Sequence, residues 1–446
     1  MVKNVLLLGS GFVAQPVVDS LAAEKDINVT VACRTLAKAE ALAKPSKSAS
    51  ASVDVTNDSQ LDSLLEKNDL VISLIPYIYH PNVVKSAIRT KTNVLTTSYI
   101  SPALRELEPE IKKAGILVMN EIGLDPGIDH LYAVKTIDEV HKVGGKIKSF
   151  LSFCGGLPAP EDSDNPLGYK FSWSSRGVLL ALRNTAKFWR DGKVEVVSSE
   201  DLMATAKPYF IYPGFAFVAY PNRDSTVFKE LYEIPEAETV IRGTLRYQGF
   251  PEFVKALVDI NFLSEDPESA FTKALPWKEA LKQFLGASSS SKEDLVKVID
   301  SKTKWQSEED RARILAGFNW LGFFSDILIT PKGNPLDTLC ARLEELMQYE
   351  EGERDLVVLQ HKFGIEWADG STETRTSTLV DYGKVGGYSS MAATVGYPAS
   401  IAAKLIFDGV IKGSGLRAPY SPEINDPIMK NLKDKYGIYM KEKTIA

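Results

Sequence analysis

Residues 4–14, NVLLLGSGFVA, decide the fold. A short apolar run ends at Leu8, the turn Gly9-Ser10-Gly11 follows, and PVVDSLAAEK continues with helical periodicity, Pro16 being tolerated in a first turn. The spacing is that of GxGxxA. In such a strand, turn and helix, Gly9 makes the tight bend, Gly11 lets the backbone approach a pyrophosphate, and Ala14 keeps helix and strand close. Alone the motif is weak. Apolar runs recur, however, at 28–33, 50–55, 69–75, 92–97 and 116–119, separated by helical or turn segments. This alternation predicts an α/β fold whose N-terminal domain, residues 1–127, is a Rossmann-type doubly wound parallel sheet.

The second strand of that sheet selects the nucleotide. An acidic residue about 20 positions past the glycines would bond the ribose 2′-hydroxyl of NAD, whereas an arginine suits the 2′-phosphate of NADP. Here the strand ends Cys33-Arg34-Thr35, so NADP is expected, with Arg34 on the phosphate and the Thr35 hydroxyl beside it. The alternative is that Arg34 is a solvated loop residue. Asp54-Val55 would flank the adenine and Ile75-Pro76 the nicotinamide half, because ligands lie at the carboxyl ends of the strands. The same edge carries Thr97-Ser98-Tyr99 and Gly123-Leu124-Asp125-Pro126-Gly127. Asp125 either shapes a turn before its proline or faces a substrate amine. Tyr99 either packs in the core or offers its phenol to a carboxylate.

Composition bounds the remaining possibilities. The 446 residues, 44% hydrophobic and 25% charged, suffice for several domains with proper cores. Fifty-two basic against 58 acidic side chains leave a net charge of −6, which excludes a nucleic-acid-binding surface spread over the whole chain. Three scattered cysteines and four histidines make neither a disulfide framework nor a zinc cluster, so no metal is expected. The opening apolar run is too short for a signal peptide, and no stretch reaches about 18 apolar residues uninterrupted. A cytoplasmic protein without a membrane association is expected.

Beyond residue 128 the pattern changes. The stretches SFLSFCGGLPAPED and GYKFSWSSRGV read as strands with long loops, giving a second, α+β domain with a mixed sheet over 128–250 and 351–390. Cys154 is either a buried inert cysteine or a thiol reactive toward a carbonyl. Ser174, in SWSS, would bring a hydroxyl over the cofactor. Arg223 in YPNRDST and Arg246 in RGTLRYQG sit among turn-forming or polar residues, as a carboxylate clamp would, or as surface ion-pair partners would. Helical patterns dominate 251–350 and suggest a small inserted helical domain in which Leu336, Leu339, Leu343 and Leu346 are core. Alternation returns about Ala368-Asp369-Gly370, a hairpin, and the segment 391–446 should pack back near the nucleotide domain.

The strings GSGFVAQP, CRT, SYISPALRELEPE, NEIGLDPGIDHLYA, FCGGLPAPEDSDNPLGYKFSWSSRGVLLALRN and GTLRYQGFPE closely resemble the saccharopine dehydrogenases of the NADP-dependent, L-glutamate-forming kind, and the likeness runs essentially end to end. The resemblance implies a reaction: an imine of L-glutamate and α-aminoadipate semialdehyde is reduced by NADPH to saccharopine, reversibly, as the penultimate step of lysine biosynthesis by the α-aminoadipate route. It implies substrate contacts at Ser98, Tyr99, Asp125, Arg223, Thr244, Leu245 and Arg246. For NADP it implies Ser10, Gly11, Phe12, Val13, Cys33, Arg34, Thr35, Asp54, Val55, Ile75, Thr97, Leu124, Asp125, Pro126 and Ser174, beside the Gly9 of the motif. It also implies a homodimer formed through the second domain. For the proton transfers of imine chemistry the nameable groups are Asp125, Tyr99 and Cys154. Other imine reductases of the same broad fold, such as carboxynorspermidine-type enzymes, and a non-catalytic NADPH sensor are the competing readings.

Overall fold

The computed structural model describes residues 2–445. The chain forms two compact units. Unit 1 runs to Ile147 and takes in Glu230–Ile234 and the chain from His361 onward, while unit 2 comprises Lys148–Lys229 and Pro235–Gln360.

Unit 1 is built on strands β1 (Lys3–Leu8), β2 (Ile27–Cys33), β3 (Ala49–Ser52), β4 (Leu70–Ser73), β5 (Asn93–Thr96) and β6 (Leu117–Met119). Their order across the sheet is β6-β5-β4-β1-β2-β3, every pairing parallel, and the strand Gly415–Arg417 adds a seventh member beside β6. β1 lies at the centre because Val5, Leu6, Leu7 and Leu8 are all buried, as an unbroken apolar run requires when both faces of a strand are covered. The strand order reverses between β1 and β4, and it is at this point that α1 (Gln15–Ala22) begins. Helix α1 buries Pro16, Val17, Val18 and Leu21. The long helix Ser390–Phe407 packs on it so closely that a Cβ at Gly396 would lie 3.0 Å from the Pro16 ring.

The helix Ile128–Lys142, read from the sequence as the start of the second domain, falls in unit 1. It follows directly on the Gly123–Gly127 turn, and its Ile128 N–H donates to the Gly123 carbonyl at 2.9 Å. The hairpin turn at 367–371 is present, with the Trp367 N–H donating to the Ser371 carbonyl. The strand after it, Thr372–Tyr382, pairs with Lys441–Thr444 in unit 1.

Unit 2 holds β7 (Lys146–Pro158) from Lys148 onward, β8 (Ala186–Arg190), β9 (Lys193–Val197), β10 (Lys207–Pro208), β11 (Phe217–Pro221) and β12 (Thr239–Tyr247). β12 runs parallel to β7 and antiparallel to β11 and β8, which makes the sheet mixed. The helices between Phe250 and Leu346 belong to this same unit and close over a core of Phe262, Trp277, Phe318 and Phe323. Leu336, Leu339 and Leu343 are buried on helix Pro335–Leu346. One local expectation fails: 169–174 forms no strand. The Ser174 hydroxyl instead accepts the Gly177 N–H at 3.1 Å and caps the helix Ser175–Ala181, a local bond that competes with sheet pairing.

Candidate active site

In unit 1 the expected cofactor residues gather at the carboxyl edge of the sheet. Gly9 has φ +114°, and a Cβ there would come within 2.9 Å of the Leu74 carbonyl just past β4. Only glycine passes that crossing. At Gly11 a Cβ would meet nothing, and Phe12 is 67% exposed, so the turn is open on the side where a pyrophosphate would lie. The residues present therefore fit a dinucleotide. The Ser10 hydroxyl donates to Cys33 Sγ at 3.3 Å and that thiol to the Thr35 carbonyl at 3.1 Å, fastening the turn to the end of β2. Ser52 Oγ donates to the Arg34 carbonyl at 3.1 Å, which fixes the backbone and leaves the exposed guanidinium to the solvent side. Asp54 accepts from the Thr56 hydroxyl and N–H at 2.7 and 2.9 Å. These bonds, assisted by the charge of Arg34, hold its carboxyl below the usual range. Val55, Ile75 and Thr97 are half-buried at the ends of their strands.

Ser98 and Tyr99 leave β5 and face the loop that follows β6. That loop is drawn shut: the Gly123 N–H donates to the Pro126 carbonyl at 3.0 Å, and the Asp125-Pro126 peptide is cis. Gly127 has φ +147°, and a Cβ on it would lie 2.0 Å from the Gly123 oxygen. Leu124 and Pro126 point inward, leaving Asp125 exposed at the apex. There the Tyr99 phenol donates to Asp125 Oδ1 at 2.6 Å. The two residues singled out for chemistry thus form one hydrogen-bonded pair.

Sequence reasoning missed the residue that supports Ser98. His80 opens the helix after β4; its Nδ1 lies 3.0 Å from Ser73 Oγ, and its Nε2 lies 3.0 Å from Ser98 Oγ and 3.1 Å from Thr96 Oγ1. The Ser98 N–H donates to the same Thr96 hydroxyl. Burial lowers the imidazole pKa to about 4, so the ring is neutral at pH 7 and serves as a hydrogen-bonding spacer. The available signal was position alone: a histidine in the first turn after the switch-point strand.

Unit 2 carries the remaining expected residues. Cys154 and Thr244 sit opposite each other in the β7–β12 register. Leu245 is buried against Gly155. Arg223 lies on the turn leaving β11 at φ +56°, its carbonyl accepting the Lys187 N–H at 2.8 Å. Cys154 forms no disulfide. The Ser174 hydroxyl accepts the Gly177 N–H of its helix cap.

Arg246 is the anomaly. It is only 7% exposed, its Nη1 donates to the Leu245 carbonyl at 3.0 Å, and its guanidinium lies 4.9 Å from the Tyr169 ring centre and 5.1 Å from that of Phe250. Its Nε has no hydrogen-bond partner, and among the described residues no carboxylate pairs with it. Burial pushes the neighbouring Tyr169 and Tyr220 phenols upward against the pull of the Arg246 charge, so both are neutral. A buried cation without an anion costs several kcal/mol, roughly 3–5 where one partner of a buried pair is missing. The sequence could not separate this residue from a surface arginine; the structure does.

An open glycine cradle at a switch point and an arginine at the end of the second strand mark unit 1 as the nucleotide-binding part of an NADP-linked oxidoreductase. Two family models divide the chain between them. The saccharopine dehydrogenase NADP binding domain matches residues 5–119, and the saccharopine dehydrogenase C-terminal domain matches residues 123–438. The chain belongs to the saccharopine dehydrogenase family. It is 80% identical over 446 residues to "Saccharopine dehydrogenase [NADP(+), L-glutamate-forming]" of Saccharomyces cerevisiae, covering all of both chains. It is 59% identical to the protein of that name from Schizosaccharomyces pombe, covering 99% of each. The alpha-aminoadipic semialdehyde synthase of Bos taurus is 41% identical over 99% of this chain but 48% of its own length. Among solved structures, apo saccharopine dehydrogenase (L-Glu forming) from Saccharomyces cerevisiae superposes with a TM-score of 0.93 over all of both chains. A homospermidine synthase from Legionella pneumophila shares the fold alone, at TM-score 0.58 and 10% identity, over 99% of this chain and 91% of its own.

Proposed function

We propose that this chain reduces, with NADPH, the imine of L-glutamate and α-aminoadipate semialdehyde to saccharopine, and oxidises saccharopine with NADP in the reverse direction. This is the penultimate step of lysine biosynthesis by the α-aminoadipate route. The observation that carries the reading is Arg246. Saccharopine presents three carboxylates, and a stacked, desolvated guanidinium with a free Nε is the partner one of them needs. Arg223 supplies a second, exposed cation.

NADPH, when bound, supplies the hydride. Gly9, Ser10, Gly11, Phe12 and Val13 would hold its pyrophosphate, and Arg34 and Thr35 would take the 2′-phosphate, with Cys33, Asp54, Val55, Ile75, Thr97, Leu124, Asp125, Pro126 and Ser174 lining the remainder. Ser98, fixed by His80, hydrogen-bonds a substrate carboxylate oxygen, and Tyr99 lies against the substrate with its phenol proton given to Asp125. Asp125 accepts from the secondary amine and, through its bond to the Tyr99 phenol, keeps a proton path open at the reacting nitrogen. Thr244 and Leu245 orient the substrate chain through hydroxyl and backbone. Cys154 stands beside Thr244 as the third group able to exchange a proton. Positioning of the reacting carbon and nitrogen supplies most of the acceleration.

The chain acts as a homodimer in the cytoplasm. Large apolar side chains left in the open on unit 2, among them Phe210 and Val196, at 74% and 63% exposure, support a second copy as partner. Among the described residues no helix is long and apolar enough to cross a membrane, and Cys33, Cys154 and Cys340 form no disulfide. The test is the appearance of reduced nicotinamide absorbance when saccharopine and NADP are added, against NAD and against omitted saccharopine. A rise with NADP that is much slower with NAD supports the reading. Tight NADPH binding without turnover overturns it in favour of a sensor.

A further inference from the structure

Glu121 is buried between β6 and the Asp125 loop, in a left-handed backbone conformation at φ +63° that non-glycine residues rarely hold. Its backbone N–H donates to the Ser98 carbonyl at 3.2 Å, and its Oε1 accepts the Ile100 N–H at 2.9 Å. One residue thus grips the chain on both sides of Tyr99. Its Oε2 accepts from the Tyr420 hydroxyl at 2.6 Å and lies 2.8 Å from Nε2 of His130. His130 sits in the first turn of the helix that begins after Gly127, on the far side of the Asp125 loop, and its Nδ1 lies 2.6 Å from the Tyr232 hydroxyl and 3.6 Å from Asp129. Burial works to raise the Glu121 pKa, but the His130 ring and the hydrogen bonds from Tyr420 and Ile100 outweigh it, so the group stays a carboxylate.

We propose that Glu121 and His130 are positioning residues that set the spacing of Tyr99 and Asp125, and hence the placement of the reacting nitrogen. Glu121 holds the strand-five loop and His130 the helix behind the strand-six loop, so their contact fixes the relative height of the two loop tips that meet in the Tyr99–Asp125 bond. A buried carboxylate is retained in a strained conformation because it alone can bracket Tyr99 and reach His130 together. The proposal rests on the imine-reductase reading for its substrate and adds to it a pair that touches neither substrate nor cofactor.

A double-mutant cycle decides it, with E121Q, Y99F and E121Q/Y99F measured for kcat, KM for saccharopine and NADPH binding by fluorescence. Wild-type turnover is the control for the underlying reading, and its absence would sink that reading without bearing on the pair. Positioning predicts a fall in kcat of about 10–100-fold in E121Q, unchanged NADPH affinity, and a double variant no slower than Y99F within about 3-fold. Fold-losses that multiply in the double variant, or a loss confined to KM, would overturn it. Should E121Q fail to fold, Y420F, which removes one donor to Oε2, replaces it in the same cycle with a smaller loss and the same non-additivity. The pH profile gives a second readout: E121Q and Y99F should shift the limbs of kcat alike, whereas a purely structural role leaves the profile of the folded enzyme in place.

Discussion

Arg246 shows at single-residue scale how function is bought with stability. Its guanidinium is stacked and desolvated with no anion of its own, so removal should relieve the apo protein while ruining substrate affinity. Arg246→Met is expected to hold or raise Tm in a ligand-free thermal melt and to lower kcat/KM for saccharopine at least about 10²-fold. A large drop in Tm would show the charge to be satisfied within the fold. Arg34→Ala should cut kcat/KM with NADP by about 10²-fold and leave that with NAD nearly unchanged, as expected of a residue contacting only the 2′-phosphate. D125N, Y99F and C154S, taken singly, should each cost less than about 10³-fold and keep a pH-dependent turnover; a larger loss in any one would identify a true general base. The glycine turn and Arg34 were legible in the sequence because their roles follow from spacing within one strand-turn-helix. His80 and Glu121 were not, since the first acts on Ser98, 18 residues on, and the second on Tyr420, 299 residues on.

Elements carry the next set of constraints. The bonds of His80 join the end of β4, the first turn of the following helix and the end of β5. Its pKa falls from 6.5 to about 4 on burial, so between these values the unfolded chain binds a proton that the native chain does not. Stability contributed by this group is complete above about pH 6.5 and is lost as pH falls toward 4, each tenfold difference in proton affinity between the two states being worth about 1.4 kcal/mol. Urea midpoints at pH 7.5 and pH 5 should therefore differ more in the wild type than in a folded His80→Gln variant; equal differences would count against a neutral buried ring. Gly127→Ala should destabilise by more than about 3 kcal/mol, because Cβ and backbone φ are refused together. The parallel strands were readable as apolar runs. The strand Gly415–Arg417 was not, because three residues carry no periodicity and its place beside β6 is set by packing. The helix after Ser174 was hidden by an aromatic-rich approach that imitates a strand, and the serine cap was its one local sign.

At the scale of the whole molecule, what remains is apolar surface. Val194 and Val196 on β9, with Phe210 and Tyr212 beyond β10, are all exposed in unit 2, while its core is already closed by the aromatic cluster around Phe262. Such side chains are not needed to fold the unit, and singly scattered exposed apolar residues would call for no explanation; several large ones within one short part of the chain do. A net charge of −6 on 446 residues opposes self-association only weakly. A stable pair would have to bury about 1,200–2,000 Å² in total, with an apolar centre of the sort these side chains offer. Sedimentation of the full chain should accordingly give twice the monomer mass at micromolar concentration. Val196→Glu combined with Phe210→Ser should shift the species to one copy while near-UV circular dichroism and NADPH binding stay as in the wild type, because both residues lie outside the cofactor edge of unit 1. A monomeric wild type, or a double variant that still pairs, would assign that surface to something other than a second copy of this chain.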